Sequence, residues 1–153
     1  MSAEQALRER GITLPEPPPA AGNYVRGVQA GALLFMSGHG PRRADGTYVS
    51  GKVGADLTVE QGYEAARMAG LVMLASVRAQ LGSLDRVRRV VKVLGMVHAA
   101  PDFAEHPKVV NGFLDLMVEV FGEDGRGARA AVGMASLTKQ MAVEVEMVLE
   151  LKP

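Results

Sequence analysis

The chain contains no cysteine and no tryptophan. The first absence removes disulfides, thiolate catalysis and cysteine-ligated metals together, and it fits a reducing compartment. Aromatic residues make up only 5 % of the chain, and seventeen basic residues are balanced by seventeen acidic ones. Nucleic-acid binding therefore has neither a global electrostatic basis nor an obvious set of stacking platforms. No apolar run approaches the roughly 20 residues of a membrane span. The opening stretch, Ser2 to Gly11, mixes acidic and basic residues as no signal peptide does. The expectation is a cytoplasmic protein with no membrane partner. Its 153 residues, 48 % of them hydrophobic, suffice for one domain with its own core.

The most informative stretch lies near the C-terminus, from Gly127 to Leu151. Met141, Val143, Val145, Met147, Leu149 and Leu151 are apolar, while Glu144, Glu146 and Glu150 fall between them. That period of two predicts a strand with one buried face. Arg129 to Met134 alternates in the same way, with Ala130, Val132 and Met134 in phase. A hairpin about Ser136-Leu137 would match apolar with apolar and set Arg129 opposite Glu144 on the other, more polar face. Such a pair is either a solvated ion pair or a guanidinium for a substrate carboxylate beside a carboxylate that moves protons.

In chain order, Ser2 to Arg10 reads as a short helix capped by Ser2 and stopped by Gly11, followed by a polyproline-like connector over Pro15–Pro19. Residues 1–22 are thus a helix and linker, and 23–153 the domain proper. Asn23 to Gly31 and Ala32 to Met36 read as strands. Ser37-Gly38-His39-Gly40-Pro41 reads as a tight exposed loop, where backbone can approach a ligand. Thr58 opens the strongest helix with a capping box to Gln61, and Gly82 closes it. Its methionines read as core filling. Val87 to Ala99 is a strand, and a second helix begins at Pro107 and ends at Gly122. The reading is α+β, with a mixed sheet of about six strands and two main helices on one face. A half-polar second face suggests a symmetry mate and ligand clefts at the seams. His39, His98 and His106 are too scattered for a metal site, and no metal is expected.

Taken together, Asn23-Tyr-Val-Arg-Gly-Val28, Leu34-Phe-Met-Ser-Gly-His-Gly-Pro41, Val91–Val97, Val110-Asn-Gly112, Phe121-Gly122, Ala128-Arg-Ala-Ala-Val132 and Val143-Glu-Val-Glu146 resemble the YjgF/RidA family of enamine/imine deaminases, also called the L-PSP endoribonuclease family. Each motif is short; their order and spacing from about Tyr24 to Leu151 carry the resemblance. It implies a chorismate-mutase-like two-layer fold and a homotrimer with clefts between subunits. It also implies cofactor-free hydrolysis of 2-imino or enamine acids to 2-keto acids and ammonia. The family's carboxylate-binding arginine falls on Arg129 and its acidic residue on Glu144. The resemblance places Tyr24, Ser37, Gly38, His39, Asn111, Ala130 and Ala131 around the substrate, a small carboxylate metabolite. Tyr24 reads equally as a strand residue packed at the rim, Ser37-Gly38 as a plain turn, and Asn111 first as a helix-surface or subunit-contact residue.

The chain also departs from that pattern. A frequent family cysteine is Ala131 here, a Leu-Pro turn is Leu137-Thr138, and a glutamine common in deaminases is His39. A lone loop histidine reads first as a surface residue, and otherwise as a modifier of pocket polarity or an acid. Fold transfers across such changes more safely than substrate does. A carboxylate-binding trimer without catalysis is therefore a second expectation. A ribonuclease and a chorismate mutase have less support from the residues.

Overall fold

Val87–His98, the longest strand, pairs on both sides, and the rest of the molecule is arranged about it. The computed structural model describes residues 1–153. In chain order the elements are α1 (Ala3–Glu9), β1 (Gly27–Ala30), β2 (Leu33–His39), α2 (Val59–Leu81), β3 (Val87–His98), α3 (His106–Phe121), β4 (Ala128–Met134) and β5 (Val143–Leu151). The strands form one mixed sheet in the order β1-β2-β5-β3-β4. β3 runs parallel to β4 and antiparallel to β5, and α2 and α3 each cross between parallel strands. The sheet has five strands rather than six. The stretch between β2 and α2 contributes only isolated bridges, among them Arg42 with Tyr48 and Ser50 with Met141.

The C-terminal hairpin read from the sequence does not form. β4 and β5 are antiparallel but never adjacent, because β3 lies between them. The alternation of β5 is as expected, with odd residues buried and even ones more open. β3 satisfies that alternation as well as a hairpin partner would, and it offers valines on the covered face. The link from β4 to β5 is no two-residue turn. It includes a 3-10 turn at Thr138–Gln140, where Lys139 and Gln140 both take left-handed backbone angles, and it carries the chain past the end of β3.

α2 begins with the expected capping box. Thr58 N–H donates to Gln61 Oε1 at 2.8 Å, and Gln61 N–H donates to Thr58 Oγ1 at 3.1 Å. Its buried stripe is built from small residues, including Gly62, Ala66, Ala69 and Gly70, around Met73 and Val77. The small stripe admits α3. A Cβ on Gly112 would collide with the Tyr63 carbonyl and stand 3.1 Å from Arg67 N; one on Gly70 would stand 2.8 Å from Leu116. Polar contacts seal the rim of this packing. Tyr63 Oη donates to Asp115 at 2.8 Å, and the Arg67 guanidinium grips Glu119 with two bonds of 2.9 and 2.8 Å. That fork holds the Glu119 carboxyl below its ordinary range.

The N-terminal segment is less separate than the sequence suggests. Ala3, Leu7 and Leu14 join the main core, and Glu4 accepts a bond from Leu84 N–H at 3.0 Å. The opposite sheet face has no helix. Val28 and Phe35 are 54 % and 44 % exposed there, in one row with Val148 and Lys92.

The α2–α3 contact predicts a contrast between two glycines. Gly112→Ala drives a methyl into backbone that has no room to yield and should lose about 2–3 kcal/mol in urea unfolding. Gly82→Ala meets no neighbour, but it must hold φ 82° at the end of α2, so it should lose only about 1 kcal/mol.

Candidate functional site

The end of β2 is the first place where predicted site residues gather. The ladder between β2 and β5 shifts register between Met36 and His39, so β2 continues through the stretch read as an exposed loop. Ser37 is tied to the segment before β1: its N–H donates to Arg26 O at 2.8 Å and its Oγ to Val25 O at 2.6 Å. His39 is not a surface residue. It is 5 % exposed and faces α2, where Ser76 is 1 % exposed. Its Nδ1 lies 2.7 Å from the Ser37 carbonyl, which can only accept, so Nδ1 carries the proton. Nε2 then accepts from Ser76 Oγ at 2.8 Å. Burial is the main reason that the His39 pKa lies below the ordinary histidine value; the Ser37 carbonyl opposes the shift and Arg26 adds to it.

A cavity of about 60 Å³ opens beside His39. Its walls include Tyr24, Arg26, Ser37, Gly38, Arg42 and Tyr48, with Pro18 and Pro19 of the proline segment. Tyr24 is exposed, and its hydroxyl accepts from Ala21 N–H at 3.3 Å. Gly38 joins this cavity to the open sheet face: a Cβ there would strike the Glu144 carboxylate, with Glu144 Cδ only 2.9 Å away. Glu144 is half-buried. Desolvation, and then the charge of Glu146, raise its pKa above the ordinary glutamate value. A carboxylate shifted in this direction is a better proton acceptor than an unperturbed glutamate.

The second gathering lies at the other edge of the sheet. Arg129 on β4 is exposed and lines a depression of about 350 Å³ with Asn111, Asp115, Val118 and Arg126. It aligns with Val93 and Met147, on the helix-covered side of the sheet, whereas Glu144 aligns with Met96 and Val132 on the uncovered side. Arg129 and Glu144 are therefore neither neighbours nor on one face, contrary to the hairpin reading. Ala130 shares the row of Leu94 and Glu146, and Ala131 that of Gly95 and Val145.

Within one chain the predicted residues thus divide. Tyr24, Ser37, Gly38, His39 and Glu144 belong to the β2–β5 side; Asn111, Arg129, Ala130 and Ala131 belong to the β4 edge. From β2 to β4 is three strand spacings, roughly 14 Å. Sequence reading missed Arg26, Arg42 and Tyr48 as wall residues, and Ser76 as the partner of His39. Arg26 carried a usable signal, two positions beyond Tyr24 in an extended segment. Ser76 was the one hydroxyl in the small apolar stripe of α2.

His39 and Glu144 predict pH effects of opposite sign. The folded His39 value lies below the unfolded one, so the unfolded chain takes up the proton first as pH falls. Stability should fall below the ordinary histidine value of about 6.5, and His39→Gln should remove that part of a melting-temperature profile. The folded Glu144 value lies above the unfolded one, so its contribution is fully present in acid and lost as pH rises through the folded value. Glu146→Gln should lower the Glu144 pKa, read from carboxyl carbon shifts in an NMR titration.

The chain was compared with known proteins. A family model described as "YjgF/chorismate_mutase-like, putative endoribonuclease" matches residues 4–149. Protein TCP17 of Trypanosoma cruzi is 45 % identical over 146 residues, covering 95 % of this chain and 91 % of that protein. The crystal structure of a "putative endoribonuclease" from Shewanella oneidensis MR-1 is 33 % identical, covers 99 % of this chain and 100 % of its own, and superposes with a TM-score of 0.93. RidA from the Antarctic bacterium Psychrobacter sp. PAMC 21119 is 27 % identical, with 89 % and 94 % covered and a TM-score of 0.60. With the motifs, the strand order and the family match in agreement, the chain belongs to the YjgF/RidA family.

Proposed function

We propose that this protein hydrolyses reactive 2-imino and enamine acids to 2-keto acids and ammonia, as a cytoplasmic homotrimer that needs no cofactor. The observation that carries this reading is the division of the site. A free guanidinium stands on the β4 edge and faces the covered side, while a carboxyl with a raised pKa stands beside Gly38 on β5, two strand spacings away and on the other face. One small substrate can meet both only where the β4 edge of one copy reaches the β2–β5 side of another. The uncovered, half-apolar sheet face suits such an assembly.

In this mechanism Arg129 of one copy binds the substrate carboxylate with its planar fork, which fixes the imine carbon in the cleft. Glu144 of the other copy accepts a proton from water as the oxygen adds to the C=N carbon. It returns that proton to nitrogen to give the carbinolamine, then relays the hydroxyl proton to the amino group, so that the C–N bond breaks, the C=O bond forms and ammonia leaves the keto acid. Tyr24, Ser37, Gly38, Asn111, Ala130 and Ala131 would wall the cleft. The reaction proceeds slowly unaided, so positioning supplies most of what is needed.

The ribonuclease description carried by some relatives has less support here. His39 has both ring nitrogens engaged inside the chain, and no second histidine lies with it.

The test generates imines in place with an amino-acid oxidase and traps them with semicarbazide. Wild type should suppress semicarbazone formation and release ammonia. Arg129→Ala should lower kcat/KM about a hundredfold, as loss of a bidentate charge-assisted contact implies. Glu144→Gln should lower kcat with less effect on KM. If folded wild type leaves trapping unchanged, the deaminase reading falls and a carboxylate-binding protein without catalysis replaces it.

A further inference from the structure

Four arginines of this chain are half-buried: Arg26, Arg42, Arg67 and Arg78. Arg67 is paired with Glu119 and Arg78 with Glu4. No carboxylate lies within ion-pair distance of Arg26 or Arg42, and neither guanidinium has a hydrogen-bond partner. Both line the same small cavity, and no aspartate or glutamate shares its walls. Removing a guanidinium from water without a counter-ion is unfavourable, and doing so twice in one cavity more so. The balance of seventeen positive and seventeen negative residues means that this is no reflection of a basic chain.

The remaining walls suit an anion. The Tyr24 hydroxyl accepts from Ala21 N–H, which leaves its own proton free to donate. Lys139 Nζ stands 5.0 Å from the Tyr48 ring centroid and adds a cation–π contact that orients the ring. The His39 ring is committed to Ser37 and Ser76 and so forms a fixed neutral wall. Arg26 is anchored through its carbonyl to Ser37 N–H, and Arg42 N–H donates to Gly40 O at 2.9 Å. Ser37 and Gly38 belong to this cavity and to the proposed cleft alike, so a ligand can extend from one into the other.

We propose that Arg26 and Arg42 form an anion subsite for a second acidic group of the substrate, which makes the preferred substrates 2-imino acids with a carboxylate or phosphate at the far end. This rests on the deaminase reading for the imine half of the ligand. The subsite itself rests on the unpaired arginines. Arg129 holds the first carboxylate, Glu144 manages the proton, and the far anion lies between the two guanidiniums.

The test has two readouts. In the first, imines are generated from glutamate, from its neutral isostere glutamine, and from 2-amino-4-phosphonobutyrate. The acidic-ended imines should be preferred over the glutamine imine about ten- to a hundredfold in kcat/KM. The ratio should fall close to one in Arg26→Gln/Arg42→Gln and part of the way in each single variant, and the glutamate and phosphonate arms tell carboxylate from phosphate. In the second, calorimetry compares 2-oxoglutarate with 2-oxopentanoate, and the tighter binding of 2-oxoglutarate should vanish in the double variant. If no imine is hydrolysed but that binding difference is present and lost on mutation, the deaminase reading fails and the subsite stands. The subsite is overturned if wild type shows no preference in either readout. A preference that survives the double variant, or a carboxylate of a second copy already filling the cavity, overturns it equally.

Discussion

The pairing of β3 with a strand on each side is the constraint from which the rest follows. Because β3 takes β5 on one side and β4 on the other, the chain must leave β4, pass the end of β3 and return on its far side. The two left-handed residues at Lys139 and Gln140 belong to that passage. β4 becomes an edge, and Arg129 stands there with α3 above it. β5 becomes interior, and Glu144 is carried toward β2 instead. The separation of the two charges is thus a property of topology rather than of side-chain choice.

Much of the fold was legible from residues alone. The helix from Thr58 to Gly82 declared its cap, its buried stripe and its end. The alternation of Val143–Leu151 gave the correct buried face, and Pro107 and Gly122 bounded the second helix. Those features are local, set by neighbours within a turn or by the pleat. Pairing is not local. A strand of period two matches any other strand of period two, so nothing in Arg129–Met134 distinguished β5 from β3 as its partner. The residues from Ser37 to Pro41 misled for a related reason. Two glycines and a proline usually punctuate a chain, but here the ladder slips register and continues, and the histidine turns inward. Strand phasing and then the family resemblance singled out Arg129 and Glu144 in the sequence, though the phasing set them side by side and the structure does not. Arg26 and Arg42 needed coordinates, since only position reveals that a charge has no partner.

Burial acts on two titratable groups near the bulge of β2 with opposite consequences for charge. On the covered side it lowers the His39 pKa and so discourages a proton; on the uncovered side it raises the Glu144 pKa and so makes that carboxylate a readier proton acceptor. The cavity at the strand end holds two arginines and no aspartate or glutamate among its walls. The local field favours an incoming anion without any excess of basic residues in the chain as a whole.

β4 has a further consequence, one for solubility. An unpaired edge strand offers a row of backbone donors and acceptors to any other extended chain, and proteins commonly blunt such edges with charge. The seven residues of β4 are Ala128-Arg-Ala-Ala-Val-Gly-Met134, small and apolar apart from one. Arg129 is the only charge on that edge. The side chain proposed to bind the substrate carboxylate is thus also the one charge that this edge sets against strand addition, so replacing it would remove both at once.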